Sequence, residues 1–481
     1  MNLTFPSQYD FIPRYFRLAF TNVISNIMVP LANLVSIMFL GHLSEIHHLA
    51  GVALAGNLLN FLYFVLSFLR MGTTGVTAQA VGRDDREGVL LVGLRNGLIA
   101  LALGVAIVLL HYPLGVLGFS ILDVAPEVKS SSQAYFNTQS WGAPAILLNF
   151  VLLGWFLGRE KNGLVVLLSV VGNAVKIALD YLLIIYLDWS SMGAGVSSAT
   201  SQYLTLLLGL FFVCQEIQWQ EVREVAGRIW DIKAIRSTLT LNGNIFVSNL
   251  VFMFTALTFN YEGAQMGTII YAQNALLLQI WSLSLYIVEG LGFGTETLAG
   301  NFKGKGAKEQ LLPLAKVSVG MALLVSLVFG GVCWLFPDTV FGLLTNHTEI
   351  IDNIDIFIPW LVLVLLCNSV YCIISGYFLG LAQGNTLRNV NLVALIIGFL
   401  PADVAAVKFE SNHILWLAFF LFNAIGVLMF GVQMHGTDVG DVENDSVSLP
   451  ALEASRALTL TIEETNQQMI AEKLEVDQYE R

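Results

Sequence analysis

Charge is what this 481-residue chain has least of. Asp, Glu, Lys and Arg together make up 12%, where a soluble domain carries about 25%. So few charges cannot cover a water-facing surface, which excludes a soluble globular protein. No basic patch or stripe exists, and that excludes a nucleic-acid partner. Cysteine is nearly absent as well: Cys214, Cys333, Cys367 and Cys372 all lie in apolar segments without CxxC spacing. They offer neither a disulfide framework nor a zinc site, and no metal or organic cofactor is expected. The N-terminus lacks a charged region followed by a short apolar core and a cleavage site, so no signal peptide is expected. His42, His47, His48, His111, His347, His413 and His435 all fall at span ends or in loops. No catalytic constellation sits at depth, so an enzyme is not expected.

What remains is apolar. Hydrophobic residues reach 56%, Phe alone contributes 31 residues, and mean hydropathy is +0.71. Twelve runs suffice to cross a bilayer, which takes about 20 residues each: 15–40, 50–80, 88–112, 131–156, 163–187, 192–215, 237–261, 267–300, 312–336, 351–381, 387–408 and 412–434. Unpaired backbone groups are not tolerated in hydrocarbon, so runs of this length are helices. The basic residues of the short loops set the orientation. Arg14, Arg17, Arg83, Arg86, Arg159, Lys161, Arg223, Arg228, Lys233, Arg236, Lys303, Lys305, Lys308 and Arg388 fall on one side, Lys129 and Lys408 on the other. The expectation is a cell-membrane (inner or cytoplasmic) protein with both termini in the cytoplasm.

The net charge of −12 is misleading until it is located. From Thr437 onward, 11 acids face three bases, so the tail holds −8 of the −12. Residues 436–481 read as an acidic, disordered cytoplasmic tail.

The chain also repeats. The segment from Arg70 to Gly82, which includes Thr77 and Gln79, closes a long apolar run before a basic loop. The segment from Val288 to Gly300 does the same about 217 residues later, and Phe156-Leu157-Gly158 recurs as Phe378-Leu379-Gly380. Six spans separate the copies, so both copies run in the same direction across the membrane. The predicted fold is an all-α integral membrane protein, with twelve transmembrane helices in two six-helix lobes related by a pseudo-two-fold axis along the membrane normal. A short N-terminus (1–14) leads into the first lobe (15–215), and a basic linker (216–236) into the second (237–435). Two such lobes facing across a cleft suit alternating access.

An ionisable side chain inside a span costs about 2.5–3.5 kcal/mol on insertion scales, so each one marks a site. Arg70, Lys176, Asp180, Glu289, Glu296 and Asp403 qualify. Arg70, Glu289 and Glu296 lie near span ends, where snorkelling is a cheap alternative. Asp403 follows Pro401 and reads as interfacial. Lys176 and Asp180 lie deeper and are spaced by four, which puts them on one helical face. Asn173 is one turn further along that stripe. The pair is either a self-neutralising structural ion pair or a titratable group of the kind a proton-coupled carrier needs. Thr200 in the sixth span and Asn33 and Ser36 in the first are further candidates. Pro30 makes a bend in the first span cheap.

At these residues the sequence resembles the multidrug and toxic compound extrusion (MATE) family, in its DinF-type branch. The resemblance rests on Pro30-Leu31 through Leu43, Phe68 through Ala80, Leu179 through Ile184, Gly195 through Thr200, Ala272 through Ala275 (including Asn274), Glu289 through Glu296, and Thr386 through Asn389. It implies a cation-coupled exporter of amphiphilic organic compounds. In the family's first-lobe site, a first-span Asp, a fifth-span Asn and Asp, and a sixth-span Thr surround the coupling cation. Asp180 and Thr200 match. Ser36 stands where the Asp is expected and Lys176 where the Asn is expected, leaving the site two charge units more positive. In the second lobe Glu296 is kept, and Glu289 replaces the usual Asp.

An ammonium at a ligand position repels Na⁺ and fills its space, so H⁺ is favoured over Na⁺. Arg70, Thr77 and Gln79 are candidate cleft residues, and Glu289, Glu296 and Asn274 are candidates in the second lobe. The expected partners are a small-molecule substrate and the lipid bilayer, with the chain acting as a monomer. The extra positive charge also allows an exporter of a specific organic anion. A flippase for lipid-linked precursors is less well matched, because the spans hold few basic residues. No filter-like loop suggests a channel.

Overall fold

The computed structural model describes residues 7–43, 45–120, 124–345, 347–351 and 353–439. The acidic tail beyond residue 439 lies outside the described residues. Among the described residues the chain is helical, with no β-strand. The helices are α1 (Ile12–Gly41), α2 (Ile46–Leu66), α3 (Phe68–Gly82), α4 (Arg86–Ser120), α5 (Pro126–Ser140), α6 (Ala143–Gly158), α7 (Asn162–Asp180), α8 (Ser190–Glu216) and α9 (Trp219–Ala226). They continue as α10 (Ile232–Gln265), α11 (Thr268–Lys305), α12 (Lys308–Leu335), α13 (Pro337–Gly342), α14 (Thr348–Ile351), α15 (Ile358–Gly380), α16 (Gly384–Val393), α17 (Leu400–Lys408) and α18 (Asn412–Val439).

Eleven spans among the described residues are long and apolar enough to cross a bilayer, and α5 with α6 makes the twelfth. That fourth span is bent by 54° between Ser140 and Ala143. Gly142 precedes Pro144 there, and the proline ring has no N–H to continue the ladder. The second span runs from Ile46 to Gly82 through a local break at Ser67. The fifth ends in a π-helical turn, Tyr181–Tyr186, and the eleventh holds another at Ala394–Phe399. Such turns leave local backbone irregularity and collect at functional positions. The linker between the halves carries the short helix α9, whose Val225 packs under Trp155 and Phe156 of α6.

The internal repeat is written in the backbone more clearly than in the residues. Asp84 and Gly306, Glu160 and Ala382, and Asp188 and Glu410 all adopt left-handed φ, and each pair is 222 positions apart. The close approaches repeat too. A Cβ built on Gly158 would stand 2.7 Å from the Thr74 carbonyl oxygen, and one on Gly380 would meet the Glu296 carbonyl, again 222 positions on in each case. These glycines let α6 pack on α3 and α15 on α11. Gly380→Val overpacks that contact, which costs about 1–3 kcal/mol. It is expected to lower the thermal midpoint of the folded monomer in size-exclusion chromatography. Gly320→Val, at a site with nothing within 4 Å, is expected to leave it unchanged.

The two halves meet through the ends of α1, α3 and α11 that adjoin the basic loops. Gly290 of α11 presses on Val23 of α1, and its counterpart Gly72 of α3 presses on Asn242 of α10. Nearer the loops, Gly300 packs on Ala78, and the Gln79 amide donates to the Gly380 carbonyl at 2.8 Å.

Candidate functional site

Asp180 is the last residue of α7 before the π-helical turn, and it is fully buried. Its Oδ2 accepts from Lys176 Nζ at 3.0 Å and from Ser36 Oγ at 2.5 Å. Lys176 Nζ also donates to Ser36 Oγ, closing a three-membered ring of polar contacts. The helical spacing of four brings Lys176 over Asp180, and Ser36 reaches them from α1, one and a half turns past Pro30. The second carboxylate oxygen, Oδ1, has no hydrogen-bond partner. Lys176 keeps 14% of its side chain exposed. Ser197 of α8 donates to the Lys176 carbonyl at 3.0 Å.

The other residues singled out from the sequence around Asp180 stand apart from this ring. Asn173 donates to Ser169 of its own helix at 2.8 Å. Asn33, three residues before Ser36 on α1, is exposed. Thr200 is half-buried, and among the described residues no hydrogen bond joins it to Asp180. Ser197, three residues earlier, is the sixth-span hydroxyl that bonds the backbone of Lys176. Sequence spacing alone had no means of choosing between the hydroxyls on one small-residue stripe.

A second charged group joins the halves. Arg70 of α3 lays its guanidinium 3.8 Å over the ring of Phe293 on α11, between Glu289 and Glu296 one helical turn to either side. Arg70 Nη1 and Glu296 Oε1 are both buried without a hydrogen-bond partner. Glu296 is 1% exposed, and Glu289 Oε2 accepts from Asn26 of α1 at 3.3 Å. The expectation that these three snorkel to water is thus overturned: they face each other across the junction of the halves. Thr77 is fully buried with its hydroxyl unpartnered, and Gln79 is tied to Gly380. Asp403, read as interfacial, is buried between helices near the end of its span. Its Oδ1 is unpartnered, and it lies 223 positions after Asp180 and just past the second π-helical turn.

Asn274 does not belong to the charged group. Its amide pairs reciprocally with Asn412 at 2.8 and 3.0 Å, and its oxygen accepts from Trp416. These three bonds fasten α11 to α18. Beside Glu289 a small cavity of about 100 Å³ opens, lined by Phe64, Met71, Phe252, Tyr371 and Asn391. A single carboxylate among aromatic rings and a thioether is a lining that suits a positively charged, apolar group.

A duplicated twelve-span bundle with buried charge at the centre of one half and at the junction of both is the build of a secondary transporter. A profile of the MatE family matches residues 22–182 and 245–404, one stretch in each half, and the chain belongs to that family. It is 32% identical over 410 residues to DNA damage-inducible protein F of Escherichia coli (strain K12), covering 85% of this chain and 88% of that protein. To a probable multidrug resistance protein NorM of Thermotoga maritima it is 22% identical over 399 residues, covering 82% and 85%. A solved MOP-superfamily transporter from Pyrococcus furiosus superposes with a TM-score of 0.80 at 18% identity, covering 89% of this chain and 96% of that one. The outward-facing conformation of a multidrug resistance MATE family transporter gives 0.80 at 19% identity, with the same coverage. The fold is that of the MATE transporters.

Proposed function

We propose that this chain is a cation-coupled secondary antiporter that exports amphiphilic organic compounds from the cell by alternating access. It works as a monomer in the cytoplasmic membrane, with both termini inside, and H⁺ rather than Na⁺ is its coupling ion. The observation that carries the choice of ion is the contact of Lys176 Nζ with Asp180 Oδ2 at 3.0 Å. A tethered ammonium already stands against the carboxylate where a metal cation would have to sit. Protonation is what remains able to change the charge of that carboxylate.

The consequence follows from pair energetics. A neutral Asp180 no longer holds Lys176, and a buried ammonium without its partner is strongly disfavoured. Lys176 then turns its partly exposed head toward water, and Ser36 loses the acceptor that ties α1 to α7. Pro30 has removed one backbone bond from α1, so the freed half of that helix bends at low cost. Proton uptake at Asp180 is thereby linked to movement of a helix that packs on the other half.

The anion-exporter alternative drew on Lys176 and Arg70 as free cations. Lys176 is neutralised by Asp180, and Arg70 lies between two carboxylates, so little positive charge is left to attract an anion. The acidic, aromatic cavity beside Glu289 supports a cationic cargo instead. Purified protein in liposomes, given a pH gradient or a Na⁺ gradient separately, tests the reading. Cationic dye is expected to move under the pH gradient, with at most a tenth of that rate under Na⁺. Strong Na⁺-driven export that disappears in Asp180→Asn would overturn the choice of ion.

A further inference from the structure

At the end of the bundle opposite the basic loops, three ligating side chains converge outside the charged groups described above. Glu45 Oε2 lies 3.3 Å from His47 Nε2 and 3.4 Å from His48 Nε2. The ligand atoms of all three lie within 4.8 Å of one another. The imidazole centroids are 4.2 Å apart, with the rings tilted by 45°. We propose that Glu45, His47 and His48 form a binding site for a divalent transition-metal ion of the zinc class.

The separations suit that ion. Two N or O atoms each about 2.1 Å from a common centre, at the tetrahedral angle, stand about 3.4 Å apart. The second shell offers partners to the other ring nitrogen of His48. Ser191 Oγ donates to the His48 carbonyl at 3.4 Å, so its oxygen is left to accept from His48 Nδ1 at 2.9 Å. Ser131 Oγ lies 3.2 Å from the same nitrogen. Ligated through Nε2, His48 would carry its proton on Nδ1, with Ser191 Oγ placed to accept it. Its Nε2 then stands 3.4 Å from the Glu45 carboxylate, with room for a shared cation between them. Protonating both rings would set two like charges side by side; one divalent ion satisfies all three groups.

Two imidazole nitrogens and one carboxylate oxygen select zinc, copper or nickel over magnesium and calcium, which prefer all-oxygen shells. Three protein ligands leave a coordination position for water or an incoming ligand. His47 and His48 also line an open cavity of about 470 Å³, together with Glu127, Ser130 and Trp189. The site gathers the start of α2, the first turns of α5 and the start of α8, so an occupied site fastens three segments of the first half at that end.

The test uses full-length protein carrying no histidine tag, with the exposed Cys214 replaced by serine and metals stripped by chelator. Calorimetric titration with Zn²⁺ is expected to show one saturable site per chain, and Mg²⁺ none. Titration with Co²⁺ is expected to give the intense visible bands of a four-coordinate ion. Glu45→Gln and His48→Ala should each weaken Zn²⁺ at least tenfold, and Ser191→Ala about tenfold through the lost orientation of His48. Glu45 is exposed, so Glu45→Gln keeps the fold and carries the test if His48→Ala does not fold. Absence of saturable Zn²⁺ binding, or equal affinity in Glu45→Gln, would overturn the site.

Discussion

Asp180→Asn is expected to reduce pH-driven export at least tenfold and to destabilise the protein at the same time. Removing one member of a buried ion pair strands the other, at a cost of about 3–5 kcal/mol. Loss of export in this variant alone would therefore not separate coupling from folding. The pair must be replaced together. Asp180→Leu with Lys176→Met fills the same volume with apolar groups, a change that is often neutral or stabilising. The double variant is expected to keep the wild-type melting midpoint within a few degrees and to bind cationic dye, while its pH-driven export stays at background. Wild-type export from a stable double variant would show that the pair only permits burial, and coupling would then have to lie elsewhere.

Lys176 makes a sharper demand. Lys176→Asn restores an amide oxygen beside Asp180 and removes the resident ammonium, so the only charge on the ring becomes negative. A cation of the right size then has a carboxylate, an amide and the Ser36 hydroxyl to approach. Export driven by Na⁺ alone is expected to rise in this variant above the wild-type background, most clearly at alkaline pH, where protons compete least.

Much of this was legible from residues alone, and the reason is the solvent. Hydrocarbon forces apolar runs to be helices, so span number, the duplication and the pairing of Lys176 with Asp180 all followed from spacing. Contacts between spans were not legible, because a lipid-facing and a helix-facing leucine look alike in sequence. Ser36 was one of several small polar residues near Pro30; only the packing of α1 on α7 selects it over Asn33. Arg70 is the clearer case. Its position near a span end suggested access to water, but Phe293, Glu289 and Glu296 come from another span 219 or more positions later. The bend at Gly142 was similarly hidden, since hydropathy does not record the direction of a helix.

The contact of Arg70 with Phe293 is expected to set how readily the two halves part. Arg70 belongs to the first half, and Phe293, Glu289 and Glu296 to the second. A buried guanidinium over an aromatic face contributes about 2 kcal/mol or more when desolvated, and here it also offsets two carboxylates. Arg70→Ala leaves both acids in an apolar junction without a counter-charge. The halves should then separate more often at the end that carries the basic loops, where Thr77 is fully buried. In a cysteine-free background, Thr77→Cys reports that opening through its rate of reaction with a soluble maleimide. The rate is expected to rise at least tenfold with Arg70→Ala, and export to fall because one open state is favoured over the cycle. Adding Glu296→Gln removes one of the stranded charges and should recover part of both effects. A reaction rate unaltered by Arg70→Ala, with export intact, would mean that the glycine contacts at Gly72 and Gly290 hold the halves together and the charges play no part in parting them.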